Sequence, residues 1–357
     1  MIKPSLYDYT LKELQQRIKP SFRAKQMYGW IYHHYVDDYT EMKNIPKALQ
    51  EELAQIYIVN PLSIIKKEVS NDGTIKYLLE LQDGKTIEAV WLKMKDEQRD
   101  ENGEMVQEAK FTICVSTQVG CKVGCAFCLT AKGGFTRDLT AGEIVAQVVM
   151  LKKDNNHKHN RKINIVYMGM GEPLDNLDNL AKAIEVFQET DGLAISGKRQ
   201  TVSTSGLSSK IDKLGAMDLG VHIAISLHAV DDELRTELIP MNKAHNIQSI
   251  IDAVKRFPID TRKRVMFEYL VIKNKNDDLA SAKKLVKLLH GIKAKVNLIY
   301  FNPYPGTPYD RPSKEDMVSF QEYLIQHGLL CTIRDSKGID ISAACGQLKE
   351  KENKKEL

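Results

Sequence analysis

The chain has 357 residues, 43% of them hydrophobic and 27% charged, with 51 basic against 47 acidic side chains and a net charge of +4. That is ordinary for a soluble globular protein of one large and one smaller unit. No apolar run reaches a membrane span of about 20 residues, residues 1–9 lack the apolar core of a secretory leader, and the mild positive charge permits RNA binding without establishing it.

Residues 1–60 read as helical. Leu11 and Leu14 recur at helical spacing, Pro20 opens a second helix with Tyr28, Ile31 and Tyr32 on its apolar face, and Pro46 opens a third. Arg23, Lys25, Tyr28, Trp30, Tyr32 and His33 interleave basic and aromatic types. They read equally as an RNA-contacting face and as a small helical core with a solvated basic side. From Pro61 to Lys95 short strands take over, with 76–81 and 86–92 flanking the turn Gln82-Asp-Gly-Lys85. The charged stretch Asp96–Glu108 reads as an exposed loop.

Beyond it strands and helices alternate. Strands are predicted at 110–116, 163–168, 200–204, 221–226, 265–271 and 296–300, with a last one at 330–334. Helices fall at 140–151, 177–188, from 208, near 231, and at 247–256, 279–289 and 314–327, the first opened by the capping box Thr140-Ala-Gly-Glu143. About six βα units in a row argue for an α/β fold with a parallel, curved sheet and helices outside, an open partial barrel. Its site belongs on the loops after the strands' C-terminal ends. No sequence repeat stands out beyond this alternation, and residues 349–357 read as a charged, frayed tail.

Cys121-Lys-Val-Gly-Cys125-Ala-Phe-Cys128 follows the first strand of that series, three thiols in eight residues. Intracellular cysteines this close usually bind metal. Zinc normally takes four ligands, and neither a second cysteine pair nor a nearby histidine completes such a site. Three thiolates suit a cubane iron–sulfur cluster with one iron left open. A buried Cys-rich turn or an incomplete zinc site is the plainer alternative. Met168-Gly169-Met170-Gly171-Glu172-Pro173, Ser203-Thr204-Ser205-Gly206, Ser226-Leu227-His228 and Asn302-Pro303 end strands on the same rim. Each alone is turn chemistry; together they make a ring of ligand contacts. Of the six cysteines, Cys331 reads as strand packing, whereas Cys345 lies in a small-residue loop before Gly346, as an accessible thiol would.

The C-x3-C-x2-C spacing is that of the radical S-adenosylmethionine (SAM) enzymes, which this chain resembles. The resemblance narrows with Cys114-Val-Ser-Thr-Gln-Val-Gly-Cys121, Gly169-Met-Gly-Glu-Pro173, Ser226-Leu-His228, Asn302-Pro-Tyr-Pro-Gly306, Asp340-Ile-Ser-Ala-Ala-Cys-Gly-Gln-Leu348 and Arg23-Ala-Lys-Gln-Met-Tyr-Gly-Trp-Ile-Tyr32. These are similar to the RlmN/Cfr family of RNA adenine methyltransferases over nearly the whole chain. Ser342 departs from the pattern, where the family usually has an acidic residue.

The resemblance implies one 4Fe–4S cluster on Cys121, Cys125 and Cys128, and two SAM molecules per methylation. The SAM contacts carry over to Gly171, Glu172, Ser203, Ser226, Leu227, His228 and Asn302. Cys345 would take a methyl group from one SAM, and a deoxyadenosyl radical from a second would activate it for addition to adenine. Cys114 would then release the adduct by forming a disulfide with Cys345. Glu88 would remove the ring proton, although as a residue it reads equally as an exposed strand carboxylate, and Cys114 could share that role. The implied partners are 23S rRNA, tRNA and a flavodoxin-type electron donor, for a monomeric cytoplasmic enzyme. Methylation at C2 of adenosine, in the peptidyl transferase centre and 3′ of the anticodon, is the leading expectation. Methylation at C8 of the rRNA adenosine and a non-catalytic, metal-stabilised RNA-binding protein are the alternatives. The expected units are 1–60 (helical accessory domain), 61–106 (β extension carrying Glu88), 107–340 (radical SAM core) and 341–357 (loop with Cys345, and tail).

Overall fold

The computed structural model describes residues 2–260 and 263–348; the expected tail at 349–357 lies outside them. Three helices open the chain, α1 (Leu11–Arg17), α2 (Phe22–His33) and α3 (Lys47–Ile56). Thr10 and Glu13 cap α1 reciprocally, satisfying two backbone donors that a helix start leaves free. On α2 the interleaved residues separate. Tyr28, Ile31 and Tyr32 are fully buried, and Lys25 pairs with Asp191 at 2.9 Å. Arg23 Nη1 donates to the Asn44 carbonyl at 2.7 Å and Trp30 Nε1 to Asn44 Oδ1 at 2.6 Å. The two tyrosines of the face that could have met RNA are therefore core. Asp8 ties this unit to the remainder, accepting from Gly142 N at 2.6 Å. Gly142 lies in the first turn of α4 (Ala141–Asp154), where a carboxylate complements the helix dipole.

One ten-stranded sheet carries the rest. β1 (Leu62–Val69), β2 (Ile75–Leu81) and β3 (Thr86–Lys95) form an antiparallel meander. β3 then pairs antiparallel with β4 (Lys110–Cys114), with Val90 opposite Cys114. From β4 the sheet runs parallel through β5 (Asn164–Tyr167), β6 (Gln200–Thr204), β7 (His222–Ser226), β8 (Val265–Val271), β9 (Ala294–Tyr300) and β10 (Leu330–Arg334). Helices α4, α5 (Leu177–Gln188), α6 (Ser208–Ala216), α7 (Asp232–Leu238), α8 (Ile247–Arg256), α9 (Leu279–Leu289) and α10 (Lys314–Gln326) make the crossovers. The strands between 61 and 106 thus belong to the same sheet as the parallel strands. Asp96–Glu108, expected as a loop, instead forms a hairpin of Gln98–Arg99 with Met105–Gln107, turned at Gly103 with φ +81°. A second short hairpin, Gln118–Gly120 with Phe135–Asp138, brackets the cysteine loop.

β1 and β10 are the sheet's unpaired edges. The segment 335–348 follows β10 and runs like a strap between the β1–β2 turn and the end of the cysteine loop. At one end Ser70 Oγ donates to Asp340 Oδ1 at 2.5 Å, Asn71 N to Asp340 Oδ2 at 3.1 Å and Gly338 N to Asp72 Oδ2 at 3.0 Å. At the other, Leu129 N donates to the Gly346 carbonyl at 2.8 Å and Thr130 Oγ1 to that of Leu348 at 2.6 Å. A large apolar core fills the sheet's faces. A second, smaller one of Val123, Leu238, Ile239, Leu270, Phe301 and Tyr304 lies under the cysteine loop. Among the described residues no helix is long and apolar enough to cross a membrane.

Candidate active site

The rim of the parallel strands holds an open cavity lined by Cys121, Cys125, Cys128, Gly171, Glu172, Ser203, Ser226, His228 and Cys345. Gly171 explains its own identity. At φ +102° it occupies backbone space that a side chain strains, and a Cβ there would lie 2.6 Å from Gln118 Cβ. Gln118 in turn holds the motif, accepting from Glu172 N at 2.8 Å. The Glu172 carboxylate faces the neighbouring loops, accepting from Leu174 N at 3.1 Å and Ser205 N at 2.7 Å. Burial pushes its pKa up while those bonds pull it back. Glu172 thus braces one rim loop against the next.

His228, at φ +59°, is buried. Its Nδ1 accepts from Leu270 N at 3.0 Å. Burial, aided by Arg235, lowers its pKa to about 3, so the ring is neutral. It meets Phe127 of the cysteine loop edge-on at 5.0 Å. Leu227 and Asn302 were expected among the SAM contacts but do not line the cavity. Leu227 is fully buried. Asn302 donates to Ser336 Oγ at 2.9 Å and accepts from Arg311 at 2.7 Å.

Sequence reasoning missed the group that fastens these loops. Arg235 is fully buried. It donates to the carbonyls of Ser205 (2.5 Å), Ser226 (3.1 Å) and Leu227 (3.1 Å) and to Asn242 Oδ1 (2.8 Å). A charge this deep persists only when its donors are satisfied. Glu268 and Arg334, which also line the cavity, were missed too. The available signal was a lone charge in otherwise apolar strands, Val265-Met-Phe-Glu268-Tyr-Leu-Val and Leu330-Cys-Thr-Ile-Arg334.

The strap brings Cys345 beside the cysteine loop. The residue is exposed yet lines two cavities, so solvent reaches it through their mouths while protein surrounds the thiol elsewhere. The second cavity, also open to solvent, is walled by Val90, Leu92, Met168, Ile299 and Ile333 and contains Cys114, Cys345 and Arg334. Burial, then the proximity of Cys345, pushes the Cys114 thiol up to about 12. Burial also raises the Cys345 thiol, which Arg334 pulls down. All six cysteines are free, so no Cys114–Cys345 disulfide is present. Glu88 is 5% exposed, which removes its reading as an exposed carboxylate. It pairs with Lys76 at 3.3 Å, and Lys76 also meets Glu68 at 3.2 Å. Glu88 lines neither cavity, but it shares a strand face with Val90, which does.

The donor set fits an iron–sulfur cluster. Three thiols on one loop line one cavity over the smaller apolar core. Burial pushes the Cys125 thiol up, and Cys128 and Cys121 push it further. That crowding of sulfur is relieved when cationic iron takes the thiolates.

A parallel partial barrel with three cysteines on the loop after its first parallel strand defines a radical SAM enzyme, and the Radical SAM superfamily model matches residues 115–286. The model for the ribosomal RNA large subunit methyltransferase N-terminal domain matches residues 5–59. The dual-specificity RNA methyltransferase RlmN of Sulfurimonas denitrificans is 84% identical over 350 residues, 98% of both chains. That of Aliarcobacter butzleri is 66% identical over 349 residues, 98% of this chain and 97% of its own. A crystal structure of a radical SAM methyltransferase from Sphaerobacter thermophilus superposes with a TM-score of 0.89 at 41% identity, covering 97% of this chain and 99% of that one. The chain belongs to the RlmN family of radical SAM methyltransferases.

Proposed function

We propose that this chain methylates C2 of adenosine in RNA, acting on the peptidyl transferase centre of 23S rRNA and on the nucleotide 3′ of the anticodon in tRNA. One observation carries the reading: Cys345 stands on the wall shared by two cavities, with the cysteine loop in one and Cys114 in the other. That is where a methyl carrier is needed. The relatives' description as dual-specificity RNA methyltransferases supports the two RNA classes.

Cys121, Cys125 and Cys128 would hold the cluster, and the loops at Gly171, Ser203, Ser226 and His228 would hold SAM. When bound, these groups supply a hydrogen-abstracting radical. The chain's residues do the rest. Cys345 Sγ loses its proton, accepts a methyl group and presents it to the second cavity. After loss of one hydrogen atom, the carbon on Cys345 bonds to the adenine ring; the ring radical so formed gives up one electron, which returns to the cluster, and its ring proton passes to Glu88. Cys114 Sγ then attacks Cys345 Sγ. The S–S bond forms as the C–S bond breaks, leaving the methyl on the base after protonation of its carbon. A flavodoxin-type donor, a monomeric state and a cytoplasmic location complete the proposal, together with the division at residues 60, 106 and 340.

The test is an anaerobic reaction of the reconstituted protein with SAM, reductant and unmodified rRNA fragment or tRNA, followed by nucleoside analysis. 2-Methyladenosine in both RNAs is expected. 8-Methyladenosine, or no methylated nucleoside from an iron-replete protein, would overturn the reading.

A further inference from the structure

The two cavities share one charged wall. Thr332 Oγ1 donates to Asn297 Oδ1 at 2.7 Å, Asn297 Nδ2 donates to Glu268 Oε1 at 2.8 Å, and Arg334 Nη1 lies 3.4 Å from Glu268 Oε2. β8, β9 and β10 are adjacent in the sheet, so the chain of contacts crosses three strands on one face. Glu268 is 3% exposed, whereas a third of the Arg334 side chain is open to the cavities. A guanidinium has five N–H donors. Among the described residues the long contact to Glu268 is the one hydrogen bond of the Arg334 side chain. Several donors therefore face cavity space beside both Cys114 and Cys345. Glu268 takes one of these donors, and the rest are left for whatever enters the cavities.

The surroundings specify that occupant. Glu268 neutralises Arg334, and Asp335 and Lys337 on the same cavity offset each other, so the lining carries no net charge. Such a site lacks the clustered cations that a phosphodiester calls for. The opposing walls, Val90, Leu92, Met168 and Ile333, are apolar. A neutral, flat ring with hydrogen-bond acceptors on its edge satisfies both, and a purine carries ring nitrogens for that purpose.

Resting on the reading that the second cavity receives the acceptor adenine, we propose that Arg334 is a positioning residue that donates to a ring nitrogen of that base, held in place by Glu268, Asn297 and Thr332. The contact fixes the base edge toward the two thiols. It also draws electron density from the ring. An α-thio carbon radical is electron-rich and adds faster to an electron-poor carbon, so the same hydrogen bond orients the base and favours addition.

The test uses reconstituted holoprotein and unmodified tRNA transcripts carrying adenosine, 1-deazaadenosine, 3-deazaadenosine or 7-deazaadenosine at the target position. Arg334→Gln is compared with Arg334→Lys and with the charge-neutral pair Arg334→Gln/Glu268→Gln, which avoids leaving Glu268 without its cation if the single variant misfolds. Readouts are iron content, methylation of Cys345 without RNA, transcript binding and single-turnover methyl transfer. Arg334→Gln and the neutral pair should transfer about tenfold more slowly, the worth of one well-placed hydrogen bond. Transfer is read from protein already methylated at Cys345, because Arg334 also pulls down the Cys345 thiol; transcript binding should change less than about threefold, a margin well inside that of one hydrogen bond, and Arg334→Lys should recover part of the rate. One deaza transcript should slow the wild type by a similar factor and slow the variants no further. Loss of Cys345 methylation with unchanged response to the deaza transcripts would overturn the inference, because Arg334 would then serve the SAM side. So would deaza and variant effects that multiply. If wild type methylates Cys345 and never RNA, the reading beneath the inference fails as well, and that outcome is separate from the others.

Discussion

Gly171→Ala tests how the SAM-facing turn is built. At φ +102° an alanine pays for a left-handed backbone, about 1–2 kcal/mol. Its methyl would also lie 2.8 Å from the backbone nitrogen of Gln118 and 2.6 Å from Gln118 Cβ. Those atoms belong to the stem of the cysteine loop, not to a flexible side-chain end, so relief requires a backbone shift of roughly the overpacking kind, about 1–3 kcal/mol. The sum is about 2–5 kcal/mol, or roughly 4–10 °C in Tm at about 2 °C per kcal/mol for a chain above 150 residues. Gly84→Ala isolates the first part. Gly84 has φ +76° with nothing within 4 Å of a Cβ, so it should lose only about 1–2 kcal/mol. Thermal unfolding of both variants gives the difference, and calorimetric titration with SAM gives the functional part. Gly171→Ala should bind SAM at least tenfold more weakly with iron retained, because Gln118 would no longer hold the Glu172 amide at 2.8 Å. A Gly171→Ala protein as stable as Gly84→Ala, with unchanged SAM affinity, would refute the reasoning.

Cys125→Ala should lose the brown colour and the iron together; a full iron complement in that variant removes Cys125 from the ligand set. Cys345→Ala should keep iron and SAM binding yet leave RNA unmethylated, and peptide mass spectrometry should find a methyl on wild-type Cys345; robust methylation by the variant rules out the carrier role. Cys114→Ala should accumulate covalent protein–RNA adduct, seen as a nuclease-sensitive shift on a denaturing gel, and an active, RNA-free variant defeats the two-thiol release. Burial, then Cys345, raises the Cys114 thiol to about 12, above an ordinary thiol. The sign follows: the buried thiol's contribution to stability is full below about pH 8.5 and is lost as pH rises toward 12. Native protein should therefore resist iodoacetamide at Cys114 at pH 8, and labelling as fast as in denatured protein contradicts the burial.

The alternation of strands and helices from β4 onward was legible because buried parallel strands and amphipathic helices carry different periods. The residues of Thr140–Glu143 and Thr10–Glu13 announce their helix starts for the same local reason. The cysteine loop was legible from spacing alone. What the sequence hid is long-range or short in span. The hairpin strands Gln118–Gly120 and Phe135–Asp138 are too brief to show alternation. The meeting of Cys345 with the cysteine loop depends on backbone bonds across more than two hundred residues, for which no local pattern exists. Arg235 looks like a surface charge until the strands beside it are placed, whereas Glu268 and Arg334 stand out as lone charges in apolar strands whose partners only the fold supplies. Asn302 shows the reverse: its position on the rim was readable, but its amide turns to Ser336 and Arg311.

The strap also sets where the molecule is mechanically soft. The strands of the sheet are held to their neighbours by ladders of backbone bonds, with seven residue pairs between β8 and β9. The strap joins no ladder among the described residues, and its far end rests on Asp340 and Gly338 contacts to one hairpin turn. A segment with few bonds opens at lower free energy than the ladders around it. The strap walls the cavity that holds both thiols, so a polymer too large to enter that cavity whole meets it where the wall yields most readily. Amides at Asn71 and Gly338 should then exchange with solvent ahead of those in β8 and β9, and stiffening the strap would slow entry and release before it touched the chemistry.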